Sequence, residues 1–165
     1  MSLRVIQIAT GEGAEHENTT TENTILRKTW AAYELTVGST YPFSCAIIVN
    51  DENSTDTNTV AIRFGTTSAT PASNTACGAS AAVDGADGDF AVVFGFLEVQ
   101  TATRAVCYGF LSANDDANTQ KACAFVKVLT IDRSVVNYLD VTIDFSVAHA
   151  DNEIAAAAGC FMQAT

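Results

Sequence analysis

The amino-acid sequence predicts an all-β, two-sheet sandwich, and three observations support this fold class. Apolar residues recur with a period of two along most of the chain. Asn, Asp and Gly separate these runs at short intervals, which is typical of turns between antiparallel strands. The chain shows no alternation of strands with helices of the kind that builds a parallel sheet. Its 165 residues suffice for one domain with its own core.

The alternating runs predict eight or nine mostly antiparallel strands. The strands are expected near residues 4–9, 24–34, 41–49, 57–65, 89–101, 104–112, 122–131, 138–149 and 154–163. In the run 57–65, Val60, Ile62 and Phe64 share one face, as expected for a half-buried strand. The alanine-rich run 154–160 also suits a helix, but its shortness and Gly159 favour a strand.

Strand number and loop lengths favour a jelly-roll-like sandwich, with an immunoglobulin-like sandwich as the alternative. The polar stretch 9–23 predicts an N-terminal region, 1–23, made of a strand and a polar arm. The β-sandwich domain then covers 24–165. The alanine-rich segment 66–89 is predicted to be the longest loop. The polar run 50–58, NDENSTDTN, is predicted to form a hydrophilic hairpin tip.

Four runs are apolar on both faces: 42–49, 90–99, 105–111 and 123–129. Such runs fit the middle of a sheet in which one face meets the core and the other meets a partner or a loop. Phe90, Phe94 and Phe96 share one face of a single strand, and we interpret that face as core.

The charge balance excludes several classes of partner. The net charge is −11, from eight Lys and Arg against nineteen Asp and Glu. Nucleic acid and anionic membrane surfaces are therefore disfavoured. No apolar segment approaches the roughly 18 residues of a membrane span, and no secretory signal is evident, so we expect folding in a cytosol. The five cysteines, none in a CxxC pair, are expected to be reduced, with Cys77 the most exposed.

No catalytic motif emerges from the sequence, and the expectation is a protein without enzymatic activity, metal or cofactor. His16 lies in a flexible-looking acidic stretch, and His149 ends a strand near Ser146 and Asp151 without a nucleophile elbow. The acidic run DGADGD (84–89) lacks the spacing of a calcium loop. A metal-dependent hydrolase that uses this run is the least favoured alternative.

Residues 20–65 carry a resemblance to a known group of proteins. An opening strand with a T-x-E-x-x-[IL] pattern leads to L-x-V-G-[ST]-x-[YF], then N-x-x-S-T-D-T, then a strand ending in [RK]-x-G. The matching residues are Thr21, Glu22, Thr24, Ile25, Leu26, Leu35, Val37, Gly38, Ser39, Tyr41, Asn53, Ser54, Thr55, Asp56, Thr57, Val60, Ile62, Arg63 and Gly65. In these features, the chain resembles small jelly-roll virion structural proteins of tailed bacteriophages.

The resemblance implies a capsid decoration (cement) protein, often a homotrimer, which stabilises the assembled shell. A tail or fibre module that binds a host receptor or glycan is the alternative. The implied partners are further copies of the chain and the major capsid protein, on the virion surface after assembly in the host cytoplasm. Trp30 and Tyr33 are interpreted as interface anchors rather than a glycan platform. The candidate contact residues for the capsid or for a neighbouring subunit are Arg4, Ile6, Ile8, Glu22, Trp30 and Tyr33.

Overall fold

The computed structural model describes residues 3–10, 15–17, 19–51, 56–84, 89–115 and 119–164. Within these ranges the chain forms eleven β-strands and one short 3-10 helix, Pro71–Ser73. The strands are β1 (Leu3–Thr10), β2 (Glu15–Glu17), β3 (Asn23–Trp30), β4 (Thr40–Asp51), β5 (Asn58–Gly65), β6 (Thr75–Ala79), β7 (Phe90–Thr101), β8 (Arg104–Asn114), β9 (Gln120–Thr130), β10 (Asn137–Phe145) and β11 (Glu153–Ala164). None of the helical structure in these ranges is long enough and apolar enough to cross a bilayer.

The strands form two sheets. The larger sheet has the order β1-β11-β4-β7-β8-β9, with β2 paired to β11, and the smaller sheet has the order β3-β10-β5-β6. The pairs in both sheets are antiparallel. The chain passes repeatedly from one sheet to the other, as in jelly-roll sandwiches. The predicted all-β, jelly-roll-like fold is confirmed, including a strand rather than a helix at the alanine-rich C-terminal run.

The polar run 50–58 does not form the predicted hairpin. β4 belongs to the larger sheet and β5 to the smaller one, so this segment crosses between sheets. Residues 52–55 lie outside the described part of the chain. At the far side of the crossing, Asp56 is buried and its Oδ2 accepts a hydrogen bond of 3.0 Å from Asn152 Nδ2. Asn58 forms a bridge with Val83. The described polar residues therefore fasten the crossing to the body of the sandwich.

Two short strands occur where the sequence predicted none. β6 lies in the segment predicted as the longest loop and pairs with β5, and β2 lies in the predicted polar arm and pairs with β11. β1 also pairs with β11, from Leu3 opposite Ala164 to Thr10 opposite Ala158. The two N-terminal strands, Leu3–Thr10 and Glu15–Glu17, therefore extend the larger sheet.

On the inner side of the larger sheet, two phenylalanines flank two glycines. Phe43, Gly95, Gly109 and Phe125 lie side by side in one row that crosses β4, β7, β8 and β9. A Cβ on Gly95 would lie 2.5 Å from Phe43 Cζ, and a Cβ on Gly109 would lie 2.9 Å from Phe125 Cζ. The two glycines therefore leave the space that the two phenylalanine rings occupy, and close packing of the core depends on that space.

Candidate interaction surface

On β4, β7, β8 and β9 of the larger sheet, the side that points away from the core is apolar and exposed to solvent. Phe94 is 50% exposed, Phe110 is 44% exposed and Val126 is 75% exposed. We call this surface the outer apolar face, and its large side chains are Ile48, Phe90, Val92, Phe94, Phe96, Tyr108, Phe110, Val126 and Val128. Soluble monomers seldom expose a contiguous apolar patch of more than a few hundred Å², so a surface of this kind indicates a binding site.

The strand register brings these residues together. Phe94 lies opposite Phe110, and Phe96 lies opposite Tyr108. On the next strand, Val126 pairs with Tyr108. The Phe96 and Tyr108 rings stack with centroids 5.4 Å apart, and Phe94 meets Phe96 edge to face at 5.0 Å. Residues that are distant in sequence thus form one continuous aromatic surface.

The interpretation of Phe90, Phe94 and Phe96 as core residues is wrong. The inner positions of β7 are instead Ala91, Val93, Gly95, Leu97 and Val99. Because β7 is apolar at every position from 90 to 97, alternation alone could not identify the buried side. Gly95 was the available signal, since a glycine in a central strand often marks the close approach of another group, here Phe43.

The outer apolar face carries no charge in its interior. The outward positions of β4, β7, β8 and β9 between residues 42–48, 90–96, 106–112 and 122–128 contain only Pro, Ser, Ala, Tyr, Phe, Ile and Val. This absence is notable in a chain of net charge −11. Interface centres are depleted in charged residues and enriched in aromatic ones, and this face has that composition.

The corresponding side of the smaller sheet is polar and charged. Asp140 lies between Arg27 of β3 and Arg63 of β5 in one row across the sheet. Arg27 Nε donates to Asp140 Oδ1 at 2.6 Å, and Arg27 Nη2 donates to Oδ2 at 3.1 Å. Arg63 forms a second two-pronged pair with Glu22, with distances of 2.8 and 2.6 Å. The Thr142 hydroxyl also donates to Glu22. These charged groups satisfy one another within the chain.

The carboxyl groups on this side of the smaller sheet differ in acidity. Burial raises the pKa of Asp140, and the ion pair with Arg27 offsets this only in part. Burial also raises the pKa of Asp144, with a further contribution from the charge of Glu22. For Glu22, burial acts in the same direction, but hydrogen bonds from Arg63 and Thr142 outweigh it and hold the pKa below its usual value of 4.5.

The predicted contact residues do not share one site. Arg4, Ile6 and Ile8 belong to β1, whose side chains lie outside the described part of the structure. The β1–β11 register shifts between Val5 and Gln7, which places Ile6 at an irregularity. Glu22 is a partner of Arg63, as described above, so its carboxylate already has a role within the chain.

The two predicted aromatic anchors have opposite environments. Trp30 is 1% exposed and packs edge to face on Tyr41, with centroids 5.4 Å apart. An indole this deeply buried offers no surface to a partner, and we correct that interpretation: Trp30 is a core residue. Tyr33 is 69% exposed, in a turn where its φ of 64° places the backbone in the left-handed region.

Among the candidate catalytic residues in the described part of the chain, His149 Nδ1 lies 3.6 Å from Asp151 Oδ2, whereas the Ser146 hydroxyl is engaged elsewhere. His149 Nδ1 accepts a 3.2 Å hydrogen bond from the Asp151 backbone, and Ser146 Oγ accepts one of 2.9 Å from Thr57 N. Of the acidic run 84–89, residues 85–88 lie outside the described ranges, as does the His16 side chain. Within those ranges, no group of three or more His, Cys, Asp or Glu is placed to hold a metal ion.

The cysteines whose side chains are described are free thiols. Cys45, Cys77 and Cys107 are buried, and Cys123 is partly exposed. The prediction that Cys77 is the most exposed is therefore wrong, because β6 turns it inward against the core. Burial raises the pKa of Cys45 to about 12. Contact with Cys77, together with burial, also raises the pKa of Cys107.

No protein-family model and no curated protein matches the chain. Among solved structures, it is similar to the lectin UEA-II complexed with galactose, at 11% identity and a TM-score of 0.39, covering 99% of this chain and 92% of that one. It is also similar to the structure of the infectious bursal disease virus Gx strain, at 9% identity and a TM-score of 0.38, covering 99% and 33%. A third similarity is to the CBM2 module of the evolved Dit of Lactobacillus casei BL23 phage J-1, at 10% identity and a TM-score of 0.34, covering 82% and 67%.

Proposed function

We propose that this chain is a non-enzymatic structural protein of a tailed-phage virion, most specifically a capsid decoration protein that stabilises the assembled shell. The single observation that carries the proposal is the outer apolar face, a large uncharged surface on an otherwise acidic body. The sequence resemblance of residues 20–65 to phage virion proteins supports a virion as the place where this surface binds. Together they support a protein whose task is adhesion.

The distribution of charge supports a non-enzymatic role. Enzyme sites gather ionisable groups with perturbed pKa values in a cleft, where they can reach a substrate. Here the perturbed carboxyl groups of Glu22 and Asp140 are bound by Arg63 and Arg27 on a sheet surface. Two depressions in the described part of the chain are open to solvent, and neither is lined by these carboxyl or guanidinium groups.

The mechanism is stabilisation by mass action. A protein that binds only the assembled shell lowers the free energy of that state, and at a concentration 100 times its Kd each site contributes about 2.7 kcal/mol. The proposed partners are other copies of the chain and the major capsid protein, on the virion surface. The N-terminal region 1–23 is the proposed capsid contact, because β1 lies at the edge of the larger sheet opposite β9.

The stacked pair of Phe96 and Tyr108 favours one alternative, a tail or fibre module that binds a glycan. Aromatic rings can carry a sugar ring, and this pair is partly exposed. However, sugar recognition also needs hydrogen-bonding groups around the rings, and the interior of the face supplies few of them. Adhesion between proteins therefore agrees better with the composition of the face.

The test uses shells of the phage that encodes the chain, prepared without it. The purified full chain is added, and binding is measured by co-sedimentation together with the temperature at which the shells rupture. The proposal predicts saturable binding at a fixed number of copies per shell and a higher rupture temperature. Absence of shell binding, with the chain located on the tail or bound to a glycan array instead, contradicts it.

A further inference from the structure

The outer apolar face has raised regions formed by large side chains and lower regions formed by small ones. Its middle is a ridge on β7 and β8, formed by Phe94, Phe96, Tyr108 and Phe110, which lie in two facing pairs. The ridge stands over the inner row in which Gly95 and Gly109 are the small members. The two sides of the sheet are therefore complementary in size at the same place: small inside, large outside.

Columns of small residues lie on either side of the ridge. On β4, Ser44 and Ala46 pair with Phe94 and Val92. On β9, Ala124 pairs with Phe110, and Ala122 pairs with Ser112. The β9 column is open to solvent and continues into Val126, which is 75% exposed. The face thus carries an aromatic ridge and, beside it on β9, a lower strip at Ala122 and Ala124, which we call the β9 trough.

We propose that a second copy of this chain covers the outer apolar face, packed sheet on sheet about a twofold axis, with the ridge of each copy in the β9 trough of the other. Sheets that pack face to face lie about 10 Å apart and interlock their side chains. A twofold axis brings the same patch of both copies together. The ridge of each copy can then contact the trough of the other. The inference deepens the proposed function, on which it rests, by naming the partner at this face.

The area and the charge of the face agree with this partner. From standard strand rise and spacing, the four strands between Phe90 and Glu98 cover about 27 by 19 Å, or roughly 500 Å² per copy. Full overlap of two copies would bury about 1,000 Å², and seating the ridge over β9 shifts one sheet sideways by about 7 Å, so the pair buries roughly 650 Å², the size of a weak, transient interface. A basic partner would find no carboxylate inside the face to pair with. Two copies that carry −11 each can approach closely only where the surface is uncharged.

The twofold arrangement differs from the threefold assembly that the sequence resemblance implies. A threefold ring would use the face heterologously, with the ridge of one copy against the β9 trough of the next, whereas the twofold pair closes with two copies. The mass of the assembled chain separates the two arrangements, because one copy has a mass of 17.3 kDa.

Sedimentation equilibrium of the purified full chain tests the inference in the absence of any shell. We expect the wild-type chain to form a dimer with a Kd in the micromolar range. Phe94→Glu should raise this Kd at least 100-fold. Val147→Glu is the matched control, since Val147 is 46% exposed and lies after β10, away from the face. Circular dichroism checks folding, and Val126→Glu replaces Phe94→Glu if the latter does not fold.

A second variant distinguishes the ridge and trough from unspecific adhesion. Ala124→Leu adds apolar area but fills the trough, so we expect at least 10-fold weaker pairing, whereas unspecific adhesion would become stronger. A wild-type monomer at 100 µM, a trimer, tighter pairing of Ala124→Leu, or equal masses for Phe94→Glu and Val147→Glu would each overturn the inference. A dimer that fails to bind shells would instead overturn the proposed function and leave the pairing intact.

Discussion

Gly95 of β7 lies directly opposite Gly109 of β8, and a Cβ on Gly109 would come within 2.6 Å of Gly95 Cα. The pair lets Phe43 and Phe125 pack over the middle of the sheet from the core side. The next residues in each strand, Phe94 and Phe110, then face outward. The glycine pair therefore accounts for the dense packing on the core side, directly beneath the aromatic ridge.

Substitution of Gly109 is expected to destabilise the fold. In Gly109→Ala, the added methyl group would contact the backbone of Phe94 and Gly95 and the ring of Phe125, so the strands or the ring must shift. Overpacking of this kind costs about 1–3 kcal/mol in the free energy of unfolding. Urea denaturation measures the effect. Ala81→Val, at an exposed loop position, should change stability by less than about 0.5 kcal/mol, and an equal loss in both variants would contradict the account.

Glu22→Gln is expected to weaken the fold through Arg63. The variant keeps one acceptor but loses the charge that Arg63 binds in two places, which costs about 1.5 kcal/mol. Glu98→Gln, at a partly exposed position on β7, is the matched control. Equal unfolding midpoints for the two variants in urea at pH 7 would show that the ion pair adds no stability.

The same pair makes stability depend on pH. Because the folded pKa of Glu22 lies below 4.5, its ionised form favours the folded state. Its contribution is complete above about pH 4.5 and is lost as the pH falls through the lower folded pKa. The difference in unfolding free energy between wild type and Glu22→Gln should therefore shrink steadily on acidification below pH 4.5. A difference that is constant from pH 7 to pH 2 would refute this linkage.

Asp144→Asn is expected to stabilise the fold at pH 7, in contrast to Glu22→Gln, which destabilises it. Burial raises the pKa of Asp144, and its Oδ1 lacks a hydrogen-bond partner among the described groups, so the ionised form disfavours the folded state. At pH 7 the variant should be more stable than wild type by about 0.5 kcal/mol, a small effect since the group is partly exposed. The gain should vanish below pH 3.8, where the carboxyl is protonated in both states. A less stable variant at pH 7 would contradict this reading.

The buried thiols are expected to be inert in the folded chain. A pKa of about 12 leaves Cys45 almost entirely as the unreactive thiol at pH 8. Alkylation by iodoacetamide, followed by mass spectrometry of peptides, should label Cys123 at least 100-fold faster than Cys45. In 6 M guanidinium chloride the two rates should converge. Rapid native labelling of Cys45 would show that the core opens locally.

Much of the strand pattern follows from the sequence, because a period of two and Asn, Asp or Gly turns determine both the strands and their limits. The sequence does not determine which side of β7 is buried, since an apolar residue at every position leaves both faces equally suited to burial. The partnership of Arg27 with Asp140 is also beyond local reasoning, because 113 residues separate them. β6 was missed because the sequence TACGA has neither alternation nor bulk, and its pairing depends on β5.

The most direct test of the central claim, that the outer apolar face is covered by protein in the working assembly, is carbene footprinting of the chain bound to shells. Labelling is compared with that of the dilute free chain, residue by residue, by mass spectrometry. The account predicts that Phe94, Phe110 and Val126 become protected on assembly, while Val147 stays labelled as in the free chain. Equal labelling of Phe94 in the free and assembled states would contradict it.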